Sequence, residues 1–498
     1  MRPHLIFAFA ASLALSTAVH AEAPVAPHGA KDLASTTPPN PLPPPATTDH
    51  VLSVGGRTLH FKATAGAVRL SDGKSGEPLA DIGYVAYQLE GADARTRPIS
   101  VAINGGPGAA SAWLDLGALG PWRLPLNAHD LSPSAATTVI DNADTWLDFT
   151  DLVFIDPPGT GYSRMLSKND DVEKHFYAVN GDIEMLGTVV RKWLATNDRL
   201  ASPKFIVGES YGGFRAPKLA HRLESTEGIG IKGLVMISPV IDFTWFQNPS
   251  NPMIYAARLP SLVAAARDIK GPDPRSKLQA VEAYASSAYL VDLYRGLRDA
   301  AAIKRMSASI ASFTGLDPKF IQRLGGRVDA PDLMRERTRD AGRTASPYDT
   351  TVTGFDPEPF DAASRPDDPI LDALKTPLAT AMADVTASRL NWPVNARYEI
   401  LSMQVNSHWD WGGGRPRAES LSDLREIMAL DPHLRVLVAH GVTDQVTPYF
   451  TSKMLIDQLP PFGDPDRIHL AVYGGGHMLY LEDASRAALR EDARKLIE

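Results

Sequence analysis

Five residues, Gly208-Glu209-Ser210-Tyr211-Gly212, restrict the fold of this 498-residue chain more than any other feature. Lys204-Phe205-Ile206-Val207 before them reads as a buried strand. Phe214 to Leu223 after them places Leu219, Ala220 and Leu223 on one helical face. A strand that becomes a helix across one residue needs glycine where a Cβ would collide. It also lifts the intervening serine above the sheet edge. The helix start adds unpaired N–H groups and a positive dipole end beside that serine. Ser210 is therefore the candidate nucleophile. Ser163, in Gly161-Tyr162-Ser163, is its rival, but it lacks a following glycine and a helix start.

Around this elbow, short apolar runs alternate with helical patterns. Strands are predicted at Ile99–Ile103, Leu152–Ile155, Leu234–Ile237, Arg435–Ala439 and Leu470–Tyr473, with a helix over Ile183–Leu194. Such alternation implies an α/β class with a mostly parallel central sheet covered on both faces. Val51–Val54 and Thr58–Phe61, on either side of Gly55-Gly56-Arg57, predict a hairpin. The stretch from about Asp242 to Ala396, rich in Ala, Arg and Asp, separates the fourth core strand from the fifth and reads as an inserted helical cap. Within it, the acidic run Asp356–Asp368 reads as a solvated loop.

The expected organisation is a signal peptide over residues 1–21, a Pro-rich disordered linker over 22–48, core over 49–241, cap over 242–396 and core again over 397–498. The signal rests on Arg2, the apolar run Leu5–Val19 and the small-residue exit Val19-His20-Ala21. It predicts export, to the periplasm or the extracellular space, and no membrane partner. Lys plus Arg total 50 against 58 Asp plus Glu, a net charge of −8, which argues against nucleic acid as a partner. The absence of cysteine excludes disulfides, thiol nucleophiles and cysteine-held metals.

A serine nucleophile needs a base and an acid, which this type of elbow supplies in the order Ser, acid, His. Of thirteen histidines, only His469 and His477 follow the strand that could carry the acid. His469 lies within a strand. His477, in Gly474-Gly475-Gly476-His477-Met478, lies on a loop beyond it and is the candidate base. Asp444, in Gly441-Val442-Thr443-Asp444, is the candidate acid; Asp242 is the alternative, and Asp464 and Asp466 read as turn residues. An oxyanion site requires the Tyr211 N–H and a second N–H from an earlier loop. Asn104-Gly105-Gly106-Pro107-Gly108 can supply it, and this loop lacks the phosphate-binding signatures that glycine-rich loops otherwise carry.

These motifs, together with Asp156-Pro157-Pro158-Gly159-Thr160-Gly161-Tyr162-Ser163 and Gly476-His477-Met478, resemble the serine carboxypeptidase family in kind and order, as a cysteine-free bacterial-type member. The resemblance implies an α/β-hydrolase fold and release of C-terminal residues from peptide substrates by Ser210, Asp444 and His477. It further implies an oxyanion hole from the N–H groups of Gly106 and Tyr211, a seat for the substrate carboxylate at Asn104 and Glu209, and no cofactor or metal. Three positions depart from the family: Ala102 for a Trp, Ala109 for a Cys and Ala118 for a Glu of the carboxylate network. An esterase, a proline-releasing aminopeptidase or an acyltransferase on the same scaffold stays open, as does an inactive peptide-binding relative.

Overall fold

The computed structural model describes residues 41–246, 250–330, 337–361, 366–412 and 418–498. The predicted signal peptide and most of the predicted linker lie outside these residues. The linker's last residues differ from expectation. Strand β1 begins at Ala46, Leu42 is buried, and the Leu42 N–H donates to Asp81 Oδ2 at 3.0 Å. Trp392 Nε1 donates to the carbonyls of Pro43 and Pro44 at 3.3 and 3.1 Å. Proline has no N–H to offer, but its carbonyl still accepts, and that straps the run down.

Among the described residues, nine strands follow one path: β1 (Ala46–Val54), β2 (Arg57–Ser71), β3 (Pro78–Leu89), β4 (Ile99–Ile103), β5 (Asp151–Ile155), β6 (Lys204–Glu209), β7 (Gly233–Ile237), β8 (Arg435–Gly441) and β9 (Ile468–Tyr473). Their spatial order is β1-β2-β3-β5-β4-β6-β7-β8-β9. The β1–β2 hairpin turns at Gly55 and Gly56, both with positive φ. Pairing is antiparallel from β1 to β5 and parallel from β5 through β9. The parallel registers set Ile103 beside Gly208, Ile237 beside both Glu209 and Ala439, and Gly441 beside Tyr473. The carboxyl ends of five strands therefore come level at one edge.

Alternation along these strands divides the core into two layers. Phe205, Val207, Val235, Ile237, Leu437 and Ala439 face one side, toward Leu489, Ala493 and Ile497 of the C-terminal helix Asp483–Ile497. Ile206, Leu234, Met236, Val436 and Val438 face the other, where helices α1 (Val179–Thr196) and α2 (Tyr211–Arg222) pack. Between β7 and β8 the chain forms helices such as Pro252–Ala266, Ala300–Thr314 and Leu371–Asp384. The apolar faces of the first two share a cluster with Val442, Tyr449, Phe450 and Val472 of the core, whereas Leu374, Leu378, Ala381 and Met382 of the third join the layer that holds Leu489 and Ala493.

Two features of this connection add to or depart from the expectation of a mostly helical cap with a solvated acidic loop. A short hairpin pairs Arg343–Ala345 with Thr353–Phe355. Asp368, at the end of the acidic run, is held rather than solvated. It accepts Ser346 Oγ and the N–H groups of Ile370 and Leu371 at the start of a helix, which leaves orphan donors for a carboxylate to cap.

One buried ion pair ties the layers to the sheet edge. Arg215 of α2 meets Asp182 of α1 through Nε and Nη2 at 2.7 and 3.1 Å, and its Nη1 donates to Asn104 O at 2.5 Å. Both side chains are essentially inaccessible. Removing one partner strands a buried charge, so Arg215→Met is expected to lower unfolding stability by about 3–5 kcal/mol. Arg215→Met combined with Asp182→Leu should lose less than the two single variants added. Urea unfolding of the three variants checks this.

Candidate active site

The elbow is built by close backbone approach. Ser210 has φ 58° and ψ −119°, a conformation that a non-glycine residue holds only when its surroundings impose it. A Cβ on Gly208 would sit 2.0 Å from Gly212 O, and one on Gly212 would sit 2.1 Å from Ile103 O. Only glycine allows β6, the first turn of α2 and the end of β4 to lie this close. Gly105 completes the contact: a Cβ there would be 2.5 Å from Tyr211 N. The Gly105-Gly106 backbone thus abuts the first N–H of α2, the geometry in which two backbone donors can face one developing negative charge.

The chain just past β7 collects the other loops. Ile237 O accepts the Ser210 N–H at 2.9 Å, and the Val240 N–H donates back to Ser210 O at 3.3 Å. Between them, Ser238 Oγ donates to His477 O at 2.7 Å, and Ser238 O lies 3.0 Å from Thr447 Oγ1, whose single hydrogen it shares with Asp444 Oδ2. His477 N–H donates to Tyr348 O at 2.6 Å, from the hairpin that the sequence did not predict.

His477 Nδ1 lies 2.8 Å from Asp444 Oδ2 and 3.0 Å from Thr447 Oγ1. Asp444 Oδ1 also accepts the N–H groups of Val446 and Thr447 at 2.8 and 3.0 Å, and Oδ2 accepts Thr447 Oγ1 at 2.6 Å. Burial pushes the Asp444 carboxyl up, but His477 and the Thr447 donors outweigh it and leave it below the ordinary value. A carboxylate only accepts, so Nδ1 carries the hydrogen and Nε2 is left as the basic nitrogen. Burial likewise pushes the imidazole down, while Asp444 and, less strongly, Glu209 hold it above its usual 6.5.

Asn104, after β4, donates from Nδ2 to Glu209 Oε2 at 2.6 Å, and its Oδ1 accepts the Leu114 N–H at 3.1 Å. Tyr480 donates to Glu209 from the other side. Burial raises the Glu209 carboxyl to about 7, against the opposing pull of His477, Tyr480 and Asn104. At neutral pH this group is poised between acid and anion, one residue from Ser210.

The rivals sit elsewhere. Ser163 Oγ is buried between Asp156 O and the Gly83 N–H at 2.6 and 2.8 Å. His469 is exposed on its strand, Asp242 caps the turn Phe243–Trp245, and Asp464 caps the turn Pro465–Arg467. Ser238, Thr447, Tyr348 and Tyr480 were not found by sequence reasoning. Thr447 had a local signal, three residues after Asp444 in a capping position. Tyr348 and Tyr480 had none.

A family model described as serine carboxypeptidase matches residues 59–265. Over this span the chain is similar to the serine carboxypeptidase family. The matched span holds Asn104, Gly106, Glu209, Ser210 and Tyr211, whereas Asp444 and His477 lie beyond it. Serine carboxypeptidase-like 9 from Arabidopsis thaliana is 25% identical over 160 residues, which is 30% of this chain and 35% of that protein. The pheromone-processing carboxypeptidase kex1 of Schizosaccharomyces pombe is 30% identical over 152 residues, 29% of this chain and 27% of that one. Matches to such serine carboxypeptidase relatives thus span about a third of their length or less. The crystal structure of Kex1, a prohormone-processing carboxypeptidase from Saccharomyces cerevisiae, superposes with a TM-score of 0.56 at 16% identity, covering 87% of this chain and 91% of that one. The shared fold is an α/β-hydrolase fold.

The electrostatics give a direct expectation for His477. Its imidazole should titrate above the ordinary value in the native protein, and Asp444→Asn should drop the midpoint below it, because burial then acts without its counter-charge. Nitrogen-15 histidine NMR across the pH range reads both midpoints.

Proposed function

We propose that this chain is an exported serine-type carboxypeptidase that releases C-terminal residues from peptides. The observation that carries the reading is the buried Asn104–Glu209 pair at 2.6 Å, next to Ser210 on a strand–helix elbow. A carboxylate ligand cannot sit in hydrogen-bond contact with an ionised glutamate, because like charges at that distance repel strongly. A glutamate held near pH 7 by burial can instead keep its proton and donate it to the α-carboxylate of a peptide, with Asn104 as the second donor.

In this reading Ser210 Oγ attacks the carbonyl carbon of the terminal peptide bond while His477 Nε2 takes its proton. The oxyanion that forms accepts from the N–H groups of Gly106 and Tyr211. Asp444 fixes the imidazole tautomer and stabilises the imidazolium, which then protonates the departing amino group. Water, activated by the same imidazole, releases the acyl group from Ser210. The residues 242–396 serve as the cap that shapes the substrate pocket, and residues 1–21 direct the chain to the periplasm or outside the cell.

Ser210→Ala is expected to lower kcat on peptides by on the order of 10⁶ with folding retained. A rate above about a hundredth of wild type would move the nucleophile elsewhere. The substrate class has its own test. For a free-acid peptide, the rise of kcat/KM as His477 loses its proton should be opposed by a fall as Glu209, held at about 7, ionises. The corresponding peptide amide should show only the rise, and Glu209→Gln should remove the fall. Superimposable acid and amide profiles in the wild type would reject the carboxypeptidase assignment.

A further inference from the structure

Tyr480 lies three residues beyond His477, in the single turn Leu479–Leu481, and is 2% exposed. Its hydroxyl is 3.0 Å from Glu209 Oε1 and 3.0 Å from Oε2. The ring edge of Tyr480 packs on Gly117, where a Cβ would come within 2.8 Å of Cε2. Its backbone is held as well: the Tyr480 carbonyl accepts Arg486 Nη1 at 3.1 Å, and Arg486 is in turn held by Asp144 at 2.9 Å. The next residue after Gly117 is Ala118, where the resembling family carries the glutamate of its carboxylate network. In this chain the phenol approaches Glu209 from the turn that packs on that segment.

The two donors do not fall evenly on the carboxyl. The Asn104 amide donates to Oε2 alone, whereas the phenol is equidistant from the two oxygens and its single hydrogen is shared between them. In the neutral acid the hydrogen therefore belongs on Oε1, the less occupied oxygen. We propose that Tyr480 is the positioning residue for Glu209: its hydroxyl orients the carboxyl so that the Oε1–H is presented to the substrate's terminal carboxylate. The phenol also limits how high in pH that hydrogen is retained, because a donor to Glu209 favours the anion. The other groups facing Glu209 are His477, Asp444, the Asn104 amide and, from the 343–355 hairpin, Tyr348. Burial and Glu209 together hold the Tyr480 phenol far above its usual range, so it stays a donor.

This inference rests on the carboxypeptidase reading, and Tyr480→Phe tests it with two readouts. Carbon-13 NMR of labelled glutamate follows Glu209 directly: the midpoint should rise by about one pH unit in Tyr480→Phe, since a donor to the anion is lost. Steady-state kinetics on a free-acid peptide should show KM rising about tenfold at low pH, with kcat reduced far less. The falling limb should move to higher pH by the same increment as the NMR midpoint. An unmoved midpoint, or equal losses on the acid peptide and its amide, would overturn the role and leave Tyr480 as packing. Wild-type acid and amide profiles that coincide, alongside a shifted midpoint, would instead reject the carboxylate seat while keeping the Tyr480–Glu209 coupling.

Discussion

The chain immediately past β7 holds the candidate site together. Ile237, Ser238 and Val240 make hydrogen bonds to Ser210, His477 and Thr447, so loops from β6, β8 and β9 are referenced to one point. Ser238 has a φ of 44°, which turns its side chain and its carbonyl toward different loops at once. This junction is possible only because the parallel registers end these strands at the same level. A shift of one residue in any pairing would turn side chains to the opposite face and move the loop ends apart.

Two buried carboxyls at this edge behave differently for a countable reason. Asp444 accepts from two backbone N–H groups, the Thr447 hydroxyl and the His477 imidazole, and this set outweighs burial. Glu209 has only the Asn104 amide and the Tyr480 phenol, and burial prevails. Pairs of acids whose surroundings push them apart are how one site holds a fixed anion and a proton donor at the same pH. Asp182 shows a third solution: it is buried against a full guanidinium and serves to tie α1, α2 and the Asn104 carbonyl together.

The connection between β7 and β8 contributes to the site through backbone rather than through a named side-chain chemistry. Tyr348 O accepts the His477 N–H, and the Tyr348 ring stands edge-on to the imidazole at 5.3 Å. Gly476 is small because a Cβ there would meet Tyr348 O at 1.9 Å. The histidine loop is thus seated between the core's own sheet edge and a hairpin contributed from outside it.

The sequence alone determined which residues would stand at strand ends. Period-two apolar runs, the glycines around Ser210 and the loop residues after β8 and β9 are local signals, written within ten residues of what they specify. They were enough for the class of fold and for placing Asn104, Glu209, Ser210, Asp444 and His477 at one edge. They were not enough for the linker's end, where Leu42 and Pro43 gain partners only from Asp81 and Trp392, far along the chain. Nor could they reach Tyr480, which meets Glu209 across 271 residues of sequence, or Tyr348, whose hairpin has no strong strand pattern. Those contacts depend on how strands distant in sequence pair and on what then faces the shared edge. That is decided by tertiary register, because a hydrogen-bond partner supplied by another part of the chain leaves no mark on the local pattern of either residue.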